Sequence, residues 1–356
     1  MSKRVKGLRS GILIVLVISF LSFLLIFLLY PEKSGKSNFH IVLDALHSIK
    51  PVYLLWSTLI ILLSLAISAY RIQILTRGVD CKISFKVALK AIFGYEFLSA
   101  VTPFGSGGQP LEIWILRKHG VSIGKGLVIV YIHTASFILF LTVFGPLALV
   151  LYPELLHGIT IPSFLIYGMI FPLYFVVLTY LSIFKPKFAK KVTHSILKLL
   201  RHIKLMKAEK FVSTLKHAIK EINTFNIYIK QYFSGKLHIL FYAIFLTLLF
   251  NSVKFLSVFT IGLSFGLVLN PVKIVLAQTF IFFVNYFIPT PGSAGTTEMV
   301  ALSIFKKIVA GFEVIVLVLW RFFTFYLIVL ISAIPALKSV HMKEQEEETV
   351  ETVTKQ

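Results

Sequence analysis

Cysteine is all but missing from this chain: Cys81 stands alone among 356 residues. A single cysteine excludes an internal disulfide framework and any Cys-based metal site. Acidic residues are scarce too, 15 against 36 Lys and Arg. The ten histidines show no HxxxH or HExxH spacing, so zinc-protease chemistry has no support. There is no nucleophile–base pair, metal-ligand set or nucleotide fingerprint. The sequence therefore nominates no catalytic residue, metal or cofactor, and an enzyme is not expected.

Apolar residues are what the chain has instead. They make up 57% of it, charged residues only 14%, and the mean hydropathy is +0.88. Several nearly uncharged runs reach about 20 residues, the length of a helix crossing ~30 Å of hydrocarbon. Backbone polar groups in lipid must bond internally, which leaves helices as the spanning form. The alternation of an outer-membrane barrel is missing. The expected fold is all-α and polytopic, with full spans near 10–30, 52–75, 126–152, 162–184, 238–263 and 312–335. The first run, Gly11 to Tyr30, follows Lys3, Arg4, Lys6 and Arg9. It exceeds a signal-peptide core and lacks a small-x-small cleavage site, so it reads as a retained anchor.

Basic residues set the orientation. With the N-terminus inside, 28 of the 36 Lys and Arg fall in the inner segments 1–9, 71–90, 117–125, 185–236 and 338–356. Lys254 and Arg321 lie within spans. The expectation is a prokaryotic cell membrane protein with both termini cytoplasmic. The net charge of +21 is then mostly topology, and nucleic acid is not an expected partner. Segment 185–236 carries apolar residues at Phe188, Val192, Ile196, Leu199 and Ile203, then Phe211, Leu215, Ile219 and Ile222. Helical spacing with Lys and Arg between suits helices lying on an anionic leaflet. Glu344 to Glu351 reads as a solvated, disordered tail.

Two segments break the spanning pattern. Ser84 to Val101 leads into Thr102-Pro103-Phe104-Gly105-Ser106-Gly107-Gly108-Gln109-Pro110, and the helical stretch from Leu111 to Leu116 is too short to cross. Val272 to Ile288 leads into Pro289-Thr290-Pro291-Gly292-Ser293-Ala294-Gly295-Thr296-Thr297-Glu298, again with a short return, to Lys306 and Lys307. Each reads as a re-entrant hairpin, 84–118 and 272–308, with opposed mouths. The motifs lie about 41 and 42 residues after the centre of the preceding span. Each half reads span, span, hairpin, span. That gives an inverted repeat of residues 1–152 and 153–336, with 185–236 inserted and a tail at 337–356, the layout of many secondary transporters.

At these motifs, with Arg321 of LWRFFTFY, the sequence resembles the transmembrane domain of the lysylphosphatidylglycerol synthase/flippase family over nearly its whole length. The resemblance implies an integral membrane protein moving a phospholipid or lipid-linked headgroup between leaflets. Many members have Glu where this chain has Gln109. The soluble aminoacyl-transferase domain of fused members is missing from these residues, so lysyl transfer is not expected.

A headgroup site at the opposed tips would draw on Thr102, Pro103, Gly105, Ser106, Gly107, Gly108 and Gln109 from the first motif. The second would give Pro289, Pro291, Gly292, Ser293, Gly295, Thr296 and Glu298, with Arg321 and Lys254 from the spans. Helix starts near Gln109 and Thr296 would aim N–H groups at a phosphate. Arg321 or Lys254 is expected to pair with Glu298, because a lone cation in a span is expensive. Asn251, Asn285, Gln278, His133, Glu96, Glu112 and Glu313 read as interhelical hydrogen-bond partners. The same scaffold also suits an ion or small-solute transporter or a non-catalytic membrane scaffold. Membrane phospholipids are the expected partners, and homo-oligomerisation is left open.

Overall fold

A computed structural model describes residues 49–102, 105–156, 184–202, 208–286, 291–293 and 295–353, with scattered positions besides. Among them the regular elements are all helical. In chain order they are α1 (Pro51–Gly78), α2 (Phe85–Val101), α3 (Gly108–Lys118), α4 (Ile123–Leu151), α5 (Pro186–His202) and α6 (Ala208–Gly235). There follow α7 (Leu237–Phe255), α8 (Ser257–Ser264), α9 (Pro271–Asn285), α10 (Thr296–Ile308), α11 (Glu313–Arg321) and α12 (Leu327–Val353).

Four helical rods are long and apolar enough to cross a membrane: Pro51–Gly78, Ile123–Leu151, Leu237–Ser264 and Glu313–Val340. They coincide with four of the six spans expected from the sequence. The other two, 10–30 and 162–184, lie outside the described residues. Leu55, Trp56, Leu59 and Leu63 on α1, Phe241 and Phe245 on α7, and Leu330 and Ile334 on α12 are all exposed. So much outward apolar surface belongs against lipid, where only internally bonded backbone is tolerated. The chain is a membrane-embedded multi-pass protein.

Local chemistry sets the helix ends. Pro51 and Pro271 occupy the first turns of α1 and α9, where a missing N–H costs nothing. Asn270 caps α9 by accepting from the Val272 and Lys273 amides at 2.9 and 3.1 Å. At the first motif α2 stops at Thr102, extended at φ −118°, ψ 147°, as a residue before proline prefers. The chain then doubles back, and α2 and α3 pack side by side. A Cβ on Gly108 would fall 2.6 Å from the Tyr95 carbonyl oxygen and 2.1 Å from Ser99 Oγ, so only glycine permits this approach. The return helix is longer than Leu111 to Leu116, because Gly108, Gln109 and Pro110 form its first turn, where proline is tolerated. Its 11 residues still span only about 16 Å. The second motif holds a short turn, Pro291–Ser293, ahead of the 13-residue α10.

Segment 185–236 is helical, as its periodicity suggests, but α6 packs against α4. Ile229 and Tyr232, beyond the residues of the expected apolar stripe, are fully buried. The Tyr232 hydroxyl donates to the Leu75 carbonyl at 2.5 Å, and the Gly124 amide donates to Glu221 Oε2 at 2.5 Å. On α5 the stripe of Phe188, Val192, Ile196 and Leu199 stays exposed. The tail also differs from expectation: α12 continues to Val353. Its Lys, Glu, Gln and Met residues are strong helix formers, so a helix already running has no local reason to stop.

Candidate functional site: a cationic cavity between the two motifs

The two motifs meet. A cavity of about 240 Å³ is lined by Gly105 and Gln109 from the first and by Gly292 and Ser293 from the second. Lys254 on α7 and Arg321 on α11 complete the part of the wall expected from the sequence. The remaining motif residues act around it. Thr102 Oγ1 accepts from the Gly107 amide at 2.9 Å and donates to the Leu98 carbonyl at 2.6 Å, closing the first turn. Gly108 allows the α2–α3 contact, Ser106 is exposed, and Thr296 donates to the Ser293 carbonyl at 3.4 Å. Pro291 opens the short turn of the second motif. Pro103 and Pro289 lie outside the described residues.

Arg321 and Glu298 form a buried ion pair, Nε to Oε1 at 2.6 Å. The same carboxylate also holds the chain's turn, since Glu298 Oε2 accepts the Gly295 amide at 2.6 Å, stabilising the start of α10 as acids do. Gly295 has no side chain to return the bond, so this is half of a capping box. Arg321 also donates from Nη2 to the Gly292 carbonyl at 2.9 Å. That carbonyl is presented by a left-handed backbone, φ +60°, and a Cβ there would strike the Phe325 ring at 2.5 Å. One guanidinium thus ties the second motif to the last span. A π turn, Phe322–Tyr326, follows directly. The extra residue in such a turn shifts helix register, and Thr324, Phe325 and Ile328 all reach the cavity wall.

Of the two cations considered for Glu298, Arg321 is therefore the partner. Lys254 instead sits over the Phe250 and Phe282 rings, 5.9 and 5.6 Å from their centroids. It has no carboxylate partner among the described residues.

Arg71 is a cavity residue that the sequence pattern hides, because it falls at an expected inner span end. It is buried within α1, donating to Thr247 Oγ1 at 2.8 Å and Ser68 Oγ at 3.0 Å, and it lines the cavity. A signal exists: Ser64, Ser68 and Arg71 recur at helical spacing, and all three are buried. The wall therefore holds three basic side chains, Arg71, Lys254 and Arg321, with Glu96 as its carboxylate among the described residues. Since Glu298 neutralises Arg321, the balance at the surface is positive.

The polar residues expected to bridge helices divide. Gln278 does bridge, donating to the Phe255 carbonyl at 2.7 Å and accepting from Trp320 Nε1 at 2.8 Å. Asn251 and Asn285 bond back to Thr247 and Ile281 in their own helices and line the cavity. Glu313 accepts the Gly311 amide at 2.5 Å, at the start of α11. Glu96 also faces the cavity, while Glu112 and His133 face each other at 3.5 Å.

Apolar rods around an internal polar cavity define a polytopic α-helical membrane protein. The chain belongs to the lysylphosphatidylglycerol synthase transmembrane-region family, whose model matches residues 12–332. It is also similar to a UPF0104 membrane protein of Archaeoglobus fulgidus, 24% identical over 280 residues, covering 76% of this chain and 83% of the relative. No solved structure matches.

Proposed function

We propose that the protein is a flippase-type transporter that passes an anionic phospholipid or lipid-linked headgroup between leaflets of the cell membrane. The carrying observation is that both Gly/Pro/Ser motifs and three cations line one cavity. A phosphate in hydrocarbon is costly. Guanidinium and ammonium groups in a site of low dielectric offset that cost, while acyl tails stay in lipid. The short α3 and α10 support two re-entrant hairpins in an inverted repeat, since neither helix is long enough to cross. The basic inner segments support cytoplasmic termini. The exposed apolar stripe of α5, flanked by lysines, supports contact with an anionic leaflet. The family is a transmembrane region, and no catalytic role is proposed.

The test is leaflet exchange in proteoliposomes, with fluorescent phosphatidylglycerol and phosphatidylcholine compared. The expected result is faster exchange of the anionic probe, with Lys254→Gln slowing it. Lys254 has no carboxylate partner among the described residues, so its loss should leave the fold intact. Equal, protein-independent exchange of both probes would sink the reading.

A further inference from the structure

Glu112, on the second turn of α3, is fully buried, yet neither carboxylate oxygen has a hydrogen-bond partner among the described residues. His133 on α4 faces it, with Nδ1 3.5 Å from Oε2 and likewise unbonded. An ionised carboxylate buried without donors is strongly disfavoured. A bare acid in such a place is stabilised by a bound proton or by a positive charge nearby. His133 also lines the cavity, so it stands between the cavity and Glu112.

The charged and titratable groups around the pair are few. Packed against α3, α2 contributes Tyr95, whose ring lies 4.9 Å from that of His133, and Glu96. From α1 comes Arg71, which interacts electrostatically with Glu112 and Glu96. Lys254 and Tyr286 lie on the same cavity wall.

We propose that Glu112 and His133 together bind one proton, and that this proton is taken up in concert with the anionic group in the cavity. Bound as a carboxylic acid beside neutral imidazole, or as carboxylate beside imidazolium, the proton raises the charge of the pair by one. With Glu112 ionised and His133 neutral, the charges of Arg71 and Lys254 are balanced by those of Glu96 and Glu112. With the proton bound, the site carries a surplus positive charge that an anion can satisfy. By linkage each ligand then favours the other by the same factor. This inference rests on the anionic-headgroup reading for its second ligand, though not for the proton site itself. It makes a proton gradient the driving force of transport.

The test uses the full chain in nanodiscs and proteoliposomes, as wild type, Glu112→Gln and His133→Gln. Infrared difference spectra between acidic and alkaline buffer should show the carbonyl stretch of a protonated carboxyl. Glu112→Gln should abolish that band and His133→Gln should shift it. In proteoliposomes a pH gradient of the effective polarity should speed exchange of acyl-labelled phosphatidylglycerol by about tenfold in wild type, and not in Glu112→Gln. A wild type that exchanges no lipid while Glu112→Gln loses the band would sink the transport reading and support the proton site. A band that persists in Glu112→Gln would overturn the proton site. Wild-type exchange indifferent to gradients of both polarities would overturn the coupling. Should Glu112→Gln fail to fold, an unshifted band in His133→Gln overturns the pair.

Discussion

The Arg321 guanidinium meets the Glu298 carboxylate at 2.6 Å with both side chains almost wholly buried, joining the last span to the helix that follows the second motif. Breaking a buried pair from one side leaves an uncompensated charge, which costs about 3–5 kcal/mol. Arg321→Ala and Glu298→Ala should each lower thermal stability by that order in detergent. The double variant should be less destabilised than the sum of the two, and a double-mutant cycle on unfolding midpoints measures the difference.

Gly108 gives a second expectation. The obstruction facing an added methyl includes the Tyr95 backbone carbonyl at 2.6 Å, which cannot rotate away. Gly108→Ala should push α2 and α3 apart and cost about 1–3 kcal/mol, as overpacking does. Gly235, where nothing lies within 4 Å of an added Cβ, is the control. Gly235→Ala should melt at or slightly above the wild-type temperature.

How much of the molecule is legible in its sequence depends on which force fixes each feature. Apolar length fixes the four described spans, and the proline and glycine clusters mark both helix breaks, because these signals are local. Arg71 escapes because positive-inside counting treats any cation near an expected span end as a loop residue. In the structure α1 runs on to Gly78, and the terminal cation is Arg77. Glu112 and His133 look like ordinary hydrogen-bond partners, since sequence identifies polar groups in spans without saying which donor each meets. That depends on how α3 leans on α4, which no local pattern encodes.

Trp320 and Gln278 offer a test in the core. Trp320 is fully buried and its indole N–H donates to Gln278 Oε1 at 2.8 Å. Trp320→Phe should strand that oxygen and cost about 1–3 kcal/mol. Adding Gln278→Leu should recover part of the loss, read as a shift in melting temperature.

The Asp80–Lys236 contact, Nζ to Oδ1 at 2.6 Å, sets a pH dependence outside the spans. The hydrogen bond from Lys236 holds the Asp80 carboxyl below its ordinary value. Its stabilisation is present above the unfolded-state value and is lost as pH falls through the folded-state one. The group is more than half exposed, so the effect is small and screened by salt. Protection factors at residues 75–80, corrected for the intrinsic pH dependence of amide exchange, should fall as pH drops below about 4. Asp80→Asn should remove that acid-dependent component.

The contacts between α6 and the ends of α1 and α4 bear on the order of biosynthesis. Glu221 accepts an amide 97 residues earlier, in the first turn of α4, and Tyr232 bonds a carbonyl 157 residues earlier, near the end of α1. Both earlier helices emerge from the ribosome with those termini bare, and they stay so until residues 208–236 are made. The first half of the chain therefore cannot finish folding as it is inserted. Its completion waits on a segment that belongs to the second.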